Sequence, residues 1–313
     1  MSTKHHHHGP AGHHHGHTHH HAPGDFGRAF AIGTALNIGF VILEAVYGIL
    51  AGSMALLADA GHNLSDVLGL LVAWGAVALG RRAPSRRFTY GLRSSSILAA
   101  LTNAILLLLA VGAIAWEAVR RLAEPEPVAA LPVIVVAGIG IVINAVTAWL
   151  FRLGGKADIN IRGAYLHMAA DALVSLGVVV AGVLILWTGW LWIDPLASLT
   201  IAAIIVWGTW SLLRQSTNMA LQGVPDGIDP ATVRNYLLGL PGVASVHDLH
   251  IWPMSTTETA LTCHMRMPSG HPGDGFLREL GHALDHRFAI RHATVQIETS
   301  EAGECALEPE DVV

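Results

Sequence analysis

The stretch MALLADAGHNLSDVLGLLVAWGAVALG, residues 54–80, is an apolar run interrupted by Asp59, His62 and Asp66. The run is longer than the roughly 20 residues that a helix needs to cross a hydrocarbon core of about 30 Å. An ionised side chain at the centre of a bilayer costs upwards of about 2.5 kcal/mol, so such residues are candidates for a functional site.

The composition indicates a membrane domain followed by a soluble domain. Of the 313 residues, 52% are hydrophobic and 13% are charged, whereas soluble proteins have about 25% charged residues. Most apolar residues precede residue 214, after which the polarity is mixed. The net charge of −5 offers no broad basic surface, so we expect no nucleic-acid partner. With only Cys263 and Cys305, no disulfide framework is expected, which favours the reducing cytoplasmic side for the soluble domain.

Six apolar segments are long enough to span the bilayer as helices. They lie near residues 27–50, 55–80, 94–117, 128–152, 164–188 and 192–213. Positive residues in short loops mark the cytoplasmic side. Two loops carry them: Arg81, Arg82, Arg86, Arg87 and Arg93 in the first, and Arg152, Lys156 and Arg162 in the second. Because the number of spans is even, both termini are expected on the cytoplasmic side. The membrane is expected to be the inner membrane of the cell. Arg120 and Arg121 would lie outside, against the rule.

The segment after the spans has the pattern of a small α+β domain. DPATVRNYLLGL predicts a helix with Asp229 as N-cap. Strands are predicted in VASVHDLHIW, TETALTCHMRM and HATVQIE, and a second helix in GFLRELGHALDHRF. The order αββαβ places helices on one face of a sheet. The domains are then a His-rich tail (1–26), a membrane domain (27–214), a cytoplasmic domain (215–300) and a C-terminal tail (301–313). So small a core also favours pairing with a second copy.

The interrupted helix has a counterpart in the fifth span. His62 and Asp66 are four residues apart and share a helical face, and His167 and Asp171 repeat this spacing in AYLHMAADALVS. Two such helices side by side would direct two imidazoles and two carboxylates to one point, and Zn2+ accepts these ligands in tetrahedral geometry. A polar contact between helices is the alternative for each pair, but the repetition favours a cation site. Asp59 would be a fifth ligand, so we assign it a supporting role.

Transport explains why such a site would be buried in a membrane. Histidine and carboxylate ligands bind metal only when deprotonated, so protons and metal compete for them. A site exposed to one side and then the other would exchange a metal ion for protons. Glu44, in the first span, is a further candidate for lining the path. Eleven histidines in the tail KHHHHGPAGHHHGHTHHH favour a disordered metal-collecting segment over an affinity tag.

The soluble domain contains many residues that could bind metal. His247 and His264 lie on neighbouring predicted strands and could face one another. Regular strand alternation would place His247 and His250 on opposite faces of the sheet. Taken singly, each histidine is better explained as a surface residue or a polar residue of the core.

Taken together, these motifs resemble the cation diffusion facilitator family, most closely its bacterial zinc-type members. The resemblance rests on GSMALLADAGHNLSD, YLHMAADALVS, YGLRSSSILAALTN, the six spans, the His-rich tail and the αββαβ domain. It implies a homodimeric antiporter that exports zinc in exchange for protons, with His62, Asp66, His167 and Asp171 as its transport site. Histidine at the first of these positions implies a preference for zinc over cadmium, with other divalent metals as further substrates.

The resemblance also implies a cytoplasmic domain with the fold of copper metallochaperones, which binds a regulatory metal at the dimer interface. His247, His264 and Glu298 fall at ligand positions of the family, and Asp274 falls near another. The chain departs from the pattern of the family in two places. The loop RRAPSRRFTYG lacks the residues of an additional zinc site, so none is expected there. Ser96 stands where relatives carry Glu at the start of the third span.

Two other classes of function fit parts of the pattern. An intramembrane metalloenzyme needs an open coordination position and a general base, but the spans contain neither an HExxH pattern nor a spare nucleophile. A metal sensor would bind zinc through residues 215–313 without transport. The sequence therefore predicts a proton-coupled zinc exporter ahead of both.

Overall fold

The computed structural model describes residues 26–80, 82–153, 159–300, 305 and 307. Within them, six long helices precede a small domain of two helices and three strands, so the predicted fold class is confirmed. The long helices are α1 (Phe26–Ala51), α2 (Met54–Gly80), α3 (Ser95–Ala123), α4 (Ala130–Leu153), α5 (Ile159–Thr188) and α6 (Ile193–Ala220).

Several sequence-based predictions fall outside the described residues. They concern the His-rich tail apart from Phe26, the charges of Arg81 and Lys156, and the C-terminal tail apart from Cys305 and Leu307. These remain predictions.

Four of the six long helices have the length and hydropathy of membrane spans. Among the described residues, Ser95–Ala123, Ala130–Trp149, His167–Thr188 and Ile193–Ala220 are long and apolar enough to cross a membrane, and Ala35–Ala51 is a shorter apolar helix. Trp187 and Trp207 are 84% and 85% exposed, and many leucines and isoleucines also face outward. A bundle that exposes such side chains on its outside is suited to a hydrocarbon environment.

Helix α2 occupies the middle of the bundle. It packs against α1, α3, α5 and α6, while α4 pairs with α5 and α3 pairs with α6. The core between them draws residues from all six helices, including Phe40, Ala55, Val111, Ala137, Val178 and Ile201. The polar residues of α2 are therefore held inside the bundle.

The N-terminus of α2 is capped by a carboxylate from another helix. Asp194, at the start of α6 and 1% exposed, accepts hydrogen bonds from the Ser53 hydroxyl and from the backbone N–H groups of Met54 (2.7 Å) and Ala55 (3.4 Å). The first N–H groups of a helix have no partner within it, so an acceptor from outside stabilises that end. Asp194 thereby ties α2 to α6.

The arginines that conflict with the positive-inside rule are paired with acidic residues. Arg120 lies 2.7 Å from Glu117, and Arg121 lies 3.1 Å from Glu117 and 3.0 Å from Glu126. Arg121 also donates to the carbonyl oxygen of Gly52 at the α1–α2 turn (2.6 Å). These pairs offset the positive charge at this end of the bundle.

The C-terminal domain has the predicted order of elements. They are α7 (Pro230–Leu238), β1 (Ser245–Pro253), β2 (Thr259–Arg266), α8 (Gly273–Phe288) and β3 (Ile290–Glu298). Asp229 caps α7 as predicted, accepting hydrogen bonds from the N–H groups of Ala231 and Thr232. Both helices bury leucines against the sheet, including Leu237, Leu280 and Leu284.

A β-bulge in β1 changes which residues share a face. Strand β2 lies between β1, antiparallel to it, and β3, parallel to it. His247 pairs with His264, and His250 pairs with Thr262, with the register shift between them. Asp248, within this interval, has a φ of 49°. The bulge inserts one extra residue in β1 and shifts the alternation of side chains by one position. His247 and His250 therefore lie on the same face of the sheet, and the expectation of opposite faces was wrong.

The two domains meet where the β1–β2 turn contacts the start of α3. Arg93 lies 2.6 Å from Glu258, and the Ser94 hydroxyl donates to the Met254 carbonyl oxygen. Ser96 accepts a hydrogen bond from the N–H of Thr256 (3.1 Å). Ser96 thus joins α3 to the cytoplasmic domain.

Candidate metal centres

Helices α2 and α5 bring the two predicted His–Asp pairs together. His62 Nε2 lies 3.8 Å from Asp66 of its own helix and 3.3 Å from Asp171 of α5. His167 Nε2 lies 3.1 Å from Asp66 across the interface and 3.7 Å from Asp171 of its own helix. Each imidazole therefore contacts both carboxylates, and the two rings stand edge to face with their centroids 6.1 Å apart.

Three of these four residues lie close enough together to bind one metal ion. In a tetrahedral site with bonds of about 2.0–2.2 Å, neighbouring ligand atoms are about 3.3–3.6 Å apart. The four nitrogen–oxygen distances, from 3.1 to 3.8 Å, lie around that range. One ligand atom each from His62, Asp66 and Asp171 already lies within 4.8 Å of the other two. His167 lies outside this group of three, and it joins the ring of residues through its contacts with Asp66 and Asp171.

The exposure of the four side chains changes along the helix axes. His167 and Asp66 are 42% and 29% exposed, whereas Asp171 is 2% exposed. On both helices the more exposed member lies nearer the end of the bundle that carries the C-terminal domain. The site is thus more accessible from that end than from the other.

A second set of polar residues is buried directly behind these four. Asp59 accepts a hydrogen bond from the Ser175 hydroxyl (2.9 Å), and Ser175 lies one turn along α5 from Asp171. Glu44 accepts a hydrogen bond from the Asn63 amide (2.9 Å), and Asn63 follows His62. Asp59, Glu44 and Ser175 are 0% exposed. The structure places Asp59 in contact with a residue that lies next to the candidate ligands, which is compatible with its predicted supporting role.

A further cluster of potential ligands lies on the sheet of the cytoplasmic domain. Glu298, at the end of β3, lies 3.3 Å from His247 Nε2 and 2.9 Å from His264 Nδ1. The Cys305 sulfur lies 3.6 Å from His264 Nδ1. One ligand atom from each of these four residues lies within 4.8 Å of the other three. Three of the four were predicted from the resemblance, and Cys305 was not.

The cluster favours an ionised Glu298. Burial alone would raise the pKa of this carboxyl, but a hydrogen bond from Cys305 and the charges of His247 and His264 together lower it below 4.5. Cys263 has the opposite character, because burial and then the charge of Asp248 raise its pKa to about 12. Cys263 packs in the core beneath the sheet. It therefore behaves as an apolar core residue, not as a metal ligand.

The remaining candidate, Asp274, is placed elsewhere. It lies in the first turn of α8 and is exposed, and among the described residues the four-membered cluster contains Cys305 instead. Sequence patterns did not reveal Cys305 because it follows the last strand, in a segment with no periodicity. Its being one of only two cysteines was the available signal.

Comparisons with known proteins agree with both halves of the molecule. The family model described as the cation efflux transmembrane domain matches residues 30–219, and that of the cation efflux protein cytoplasmic domain matches residues 225–300. A solved structure of the metal-bound C-terminal domain of the CzcD transporter from Cupriavidus metallidurans shares 39% identity, covering 23% of this chain and 99% of its own, with a TM-score of 0.22.

Relatives of similar length match nearly end to end. The cadmium, cobalt and zinc/H(+)-K(+) antiporter of Bacillus subtilis is 36% identical, over 87% of this chain and 89% of its own. The metal cation efflux system protein CzcD of Cupriavidus metallidurans is 38% identical, over 88% of each chain. The zinc transporter ZitB of Escherichia coli is 37% identical, over 84% of each. The chain therefore belongs to the cation efflux family, with both its transmembrane and its cytoplasmic domain.

Proposed function

We propose that the protein exports Zn2+, and to a lesser extent other divalent metals such as Cd2+ and Co2+, in exchange for protons. The observation that carries this proposal is the ring of His62, Asp66, His167 and Asp171 between two membrane helices. Its donor set is two nitrogens and two oxygens, and several divalent metals accept it. The metal is the substrate of this site.

The relatives support metal efflux as the function of the family. The Bacillus subtilis relative is named as an antiporter of cadmium, cobalt and zinc, and the Escherichia coli relative as a zinc transporter. The Cupriavidus metallidurans relative is named as a metal cation efflux protein. Membership of a cation efflux family decides against the intramembrane metalloenzyme. Of the two functions that remain, the exporter is favoured over the metal sensor. A sensor that does not transport metal would have no use for the intramembrane ring.

Proton exchange follows from the contacts within the ring. Each imidazole, when protonated, forms ion pairs with two carboxylates, so the ring can be neutralised either by a metal or by protons. Unpaired carboxylates within a membrane would be costly. After releasing the metal, the site would therefore bind protons before it opens again to the cytoplasm. The proton gradient would then drive export.

The direction of transport depends on the orientation of the chain. The arginine-rich loop before α3 favours a cytoplasmic location for that end of the bundle, with both termini on the same side of the inner membrane. The candidate ligands are more exposed toward this end. We infer that the structure represents the state that accepts metal from the cytoplasm.

The cytoplasmic domain has two further proposed roles. The match to the family's cytoplasmic domain and the small core support a homodimer assembled in part through this domain. The cluster of His247, His264 and Glu298 would bind a regulatory metal. The His-rich tail would collect metal near the entrance of the transport site.

The proposal is tested by transport in proteoliposomes made with the full-length protein. With an acidic interior and a neutral exterior, vesicles should accumulate Zn2+ against its gradient, and collapsing the pH difference should stop accumulation. His62→Ala and Asp171→Ala should abolish the flux. His282→Ala, which changes an exposed histidine of α8, serves as the control and should transport normally.

Two results would contradict the proposal. Normal flux in either ligand variant would show that the ring is not the transport site. Zinc accumulation that is indifferent to the pH gradient would show that protons are not the coupling ion.

A further inference from the structure

The last described part of the chain returns to the sheet through Cys305. Its sulfur lies 3.6 Å from His264 Nδ1, and its thiol hydrogen-bonds to Glu298. Cys305 is half-buried there. A residue seven positions beyond the end of β3 is thereby placed beside the two histidines and the carboxylate of the cytoplasmic cluster.

The histidine on the other side of the cluster has no satisfactory partner. His247 is 7% exposed, and neither of its ring nitrogens forms a hydrogen bond among the described residues. Its Nε2 is 3.3 Å from Glu298, within ion-pair distance but not aligned for a hydrogen bond. Buried polar groups without a partner are rare and call for an explanation such as a missing ion. A metal at the centre of the cluster would provide that partner.

The other histidine is oriented from behind. His264 directs Nδ1 toward Glu298 and Cys305, and its Nε2 lies 3.5 Å from Asp248. A carboxylate on the distal nitrogen of a ligating histidine fixes the ring and makes it a stronger donor. The β-bulge places Asp248 there, and Asp248 also contacts His250 at 2.8 Å. The cluster therefore has an outer support as well as four candidate ligands.

We propose that Cys305 is the fourth ligand of a closed metal site formed within a single chain, together with His247, His264 and Glu298. Its donor set is two nitrogens, one oxygen and one sulfur, unlike the two nitrogens and two oxygens of the intramembrane ring. A thiolate is a soft ligand, so this site favours thiophilic Zn2+ and Cd2+ over Mn2+ or Mg2+. The inference rests on the proposal that the cytoplasmic cluster binds a regulatory metal, and it names the ligand that sets its metal preference.

Binding at this site would change the protonation of Cys305 and its attachment to the sheet. The Cys305 thiol loses its proton to become a ligand, and that proton passes to solvent when the metal–sulfur bond forms. Because Cys305 follows the last strand, the bond also fastens the C-terminal segment to the sheet. The metal-bound and metal-free states thus differ in the tether between tail and domain.

Cobalt provides a direct probe of the sulfur ligand. We would use full-length protein in detergent, with the transport site disabled by His62→Ala and Asp171→Ala, and titrate it with Co2+. The expected result is one Co2+ per chain bound more tightly than the Co2+ held by the His-rich tail, with a thiolate-to-cobalt charge-transfer band in the near ultraviolet that histidines alone do not give. Cys305→Ser should remove the band and weaken binding by more than the roughly 10–100-fold that loss of an outer-shell partner causes. Cys263→Ala is the matched cysteine control and should keep the band.

The outcomes separate this inference from the proposals on which it rests. If Co2+ binds to the cytoplasmic domain without a charge-transfer band, or if Cys305→Ser keeps the band, the thiolate ligand is refuted while a nitrogen–oxygen regulatory site survives. If the cytoplasmic domain binds no Co2+ at all, both the thiolate ligand and the regulatory site are refuted. Transport by the protein with an intact membrane site is measured separately and depends on neither.

A second measurement avoids substitution of the cysteine. Iodoacetamide labelling of the transport-disabled protein, read by mass spectrometry, should modify Cys305 in the metal-free state. Zn2+ should slow this modification at least about tenfold, since a metal-bound thiolate is a poorer nucleophile. Mn2+ should protect much less. Equal labelling with and without Zn2+ would overturn the assignment.

Discussion

The two candidate metal centres use histidine and carboxylate ligands in contrasting surroundings. In the membrane, the ligands come from two helices, and their exposure ranges from 2% for Asp171 to 42% for His167. In the cytoplasmic domain, they come from three strands and the chain that follows, and His247, His264 and Glu298 are 6% to 13% exposed. One centre is open on one side, and the other is enclosed.

The difference corresponds to the two tasks proposed for them. A transport site must release its metal, so it needs ligands that can be protonated and a path to water. A regulatory site must hold its metal, and a thiolate with an outer-shell carboxylate strengthens retention. The same metal can therefore pass through one centre and remain in the other.

The largest expected effect comes from removing one charge in the intramembrane ring. Asp66 contacts His167 at 3.1 Å and His62 at 3.8 Å, so Asp66→Asn removes a ligand and an ion-pair partner of both. Zinc flux in proteoliposomes should fall by at least about a hundredfold, which equals roughly 2.7 kcal/mol or more. Cobalt binding to the cytoplasmic domain should be unchanged. Asp226→Asn, an exposed aspartate near the end of α6, is the control and should transport normally.

The support of α2 should be the next most sensitive feature. Asp194→Ala leaves the Ser53 hydroxyl and two N–H groups at the start of α2 without their acceptor. Loss of an N-cap costs about 0.5–2 kcal/mol, and buried groups left unpaired place this change at the upper end. The thermal unfolding temperature in detergent should fall by several degrees, and flux should fall with it. An unchanged melting curve would contradict the importance of the cap.

The junction between the two regions should have a moderate effect on transport. Arg93→Ala or Glu258→Ala breaks a contact of 2.6 Å between the start of α3 and the β1–β2 turn. If this contact transmits the state of the cytoplasmic domain, flux should fall by a fewfold while cobalt binding at both centres stays the same. The exchanged pair, Arg93→Glu with Glu258→Arg, should recover most of the loss. Failure of the exchange to recover flux would indicate that the ion pair itself is not required.

The smallest expected effect concerns pH and helix α7. Hydrogen bonds from the Thr232 hydroxyl and the Ala231 N–H hold the pKa of Asp229 below its usual value of 3.8. A lowered pKa in the folded state means that the cap contributes fully above about pH 4, and the contribution disappears as the pH falls through the lowered value. Asp229→Asn should therefore be slightly less stable than wild type at pH 6 and equal to it near pH 2. A difference that persists at low pH would contradict this account.

Much of this architecture was predictable because its signals are local. Long apolar runs located the six helices, and the HxxxD spacing in two of them placed four side chains on facing helical surfaces. The ends of helices were less predictable. Helix α6 continues to Ala220, beyond the predicted 213, because Arg214 to Asn218 are polar but still compatible with a helix. Hydropathy reports where a chain leaves the membrane, not where its helix ends.

The parts that were missed depend on contacts between distant segments. The bulge at Asp248 comes from a single residue with positive φ, which strand alternation does not reveal. The role of Ser96 depends on a turn 160 residues later. Cys305 joins its cluster only because the chain returns to the sheet after β3. None of these three features has a periodic pattern.

Exchange of metal for protons at the intramembrane ring can be observed by following both ions in the same vesicles. Vesicles containing the protein, with equal pH on both sides and separate dyes for zinc and for pH inside, are given Zn2+ outside. Zinc entry should raise the internal pH in a fixed ratio to the zinc transported, and Asp171→Asn should eliminate both signals together. Zinc entry without a change in internal pH, or both signals persisting in Asp171→Asn, would contradict the account.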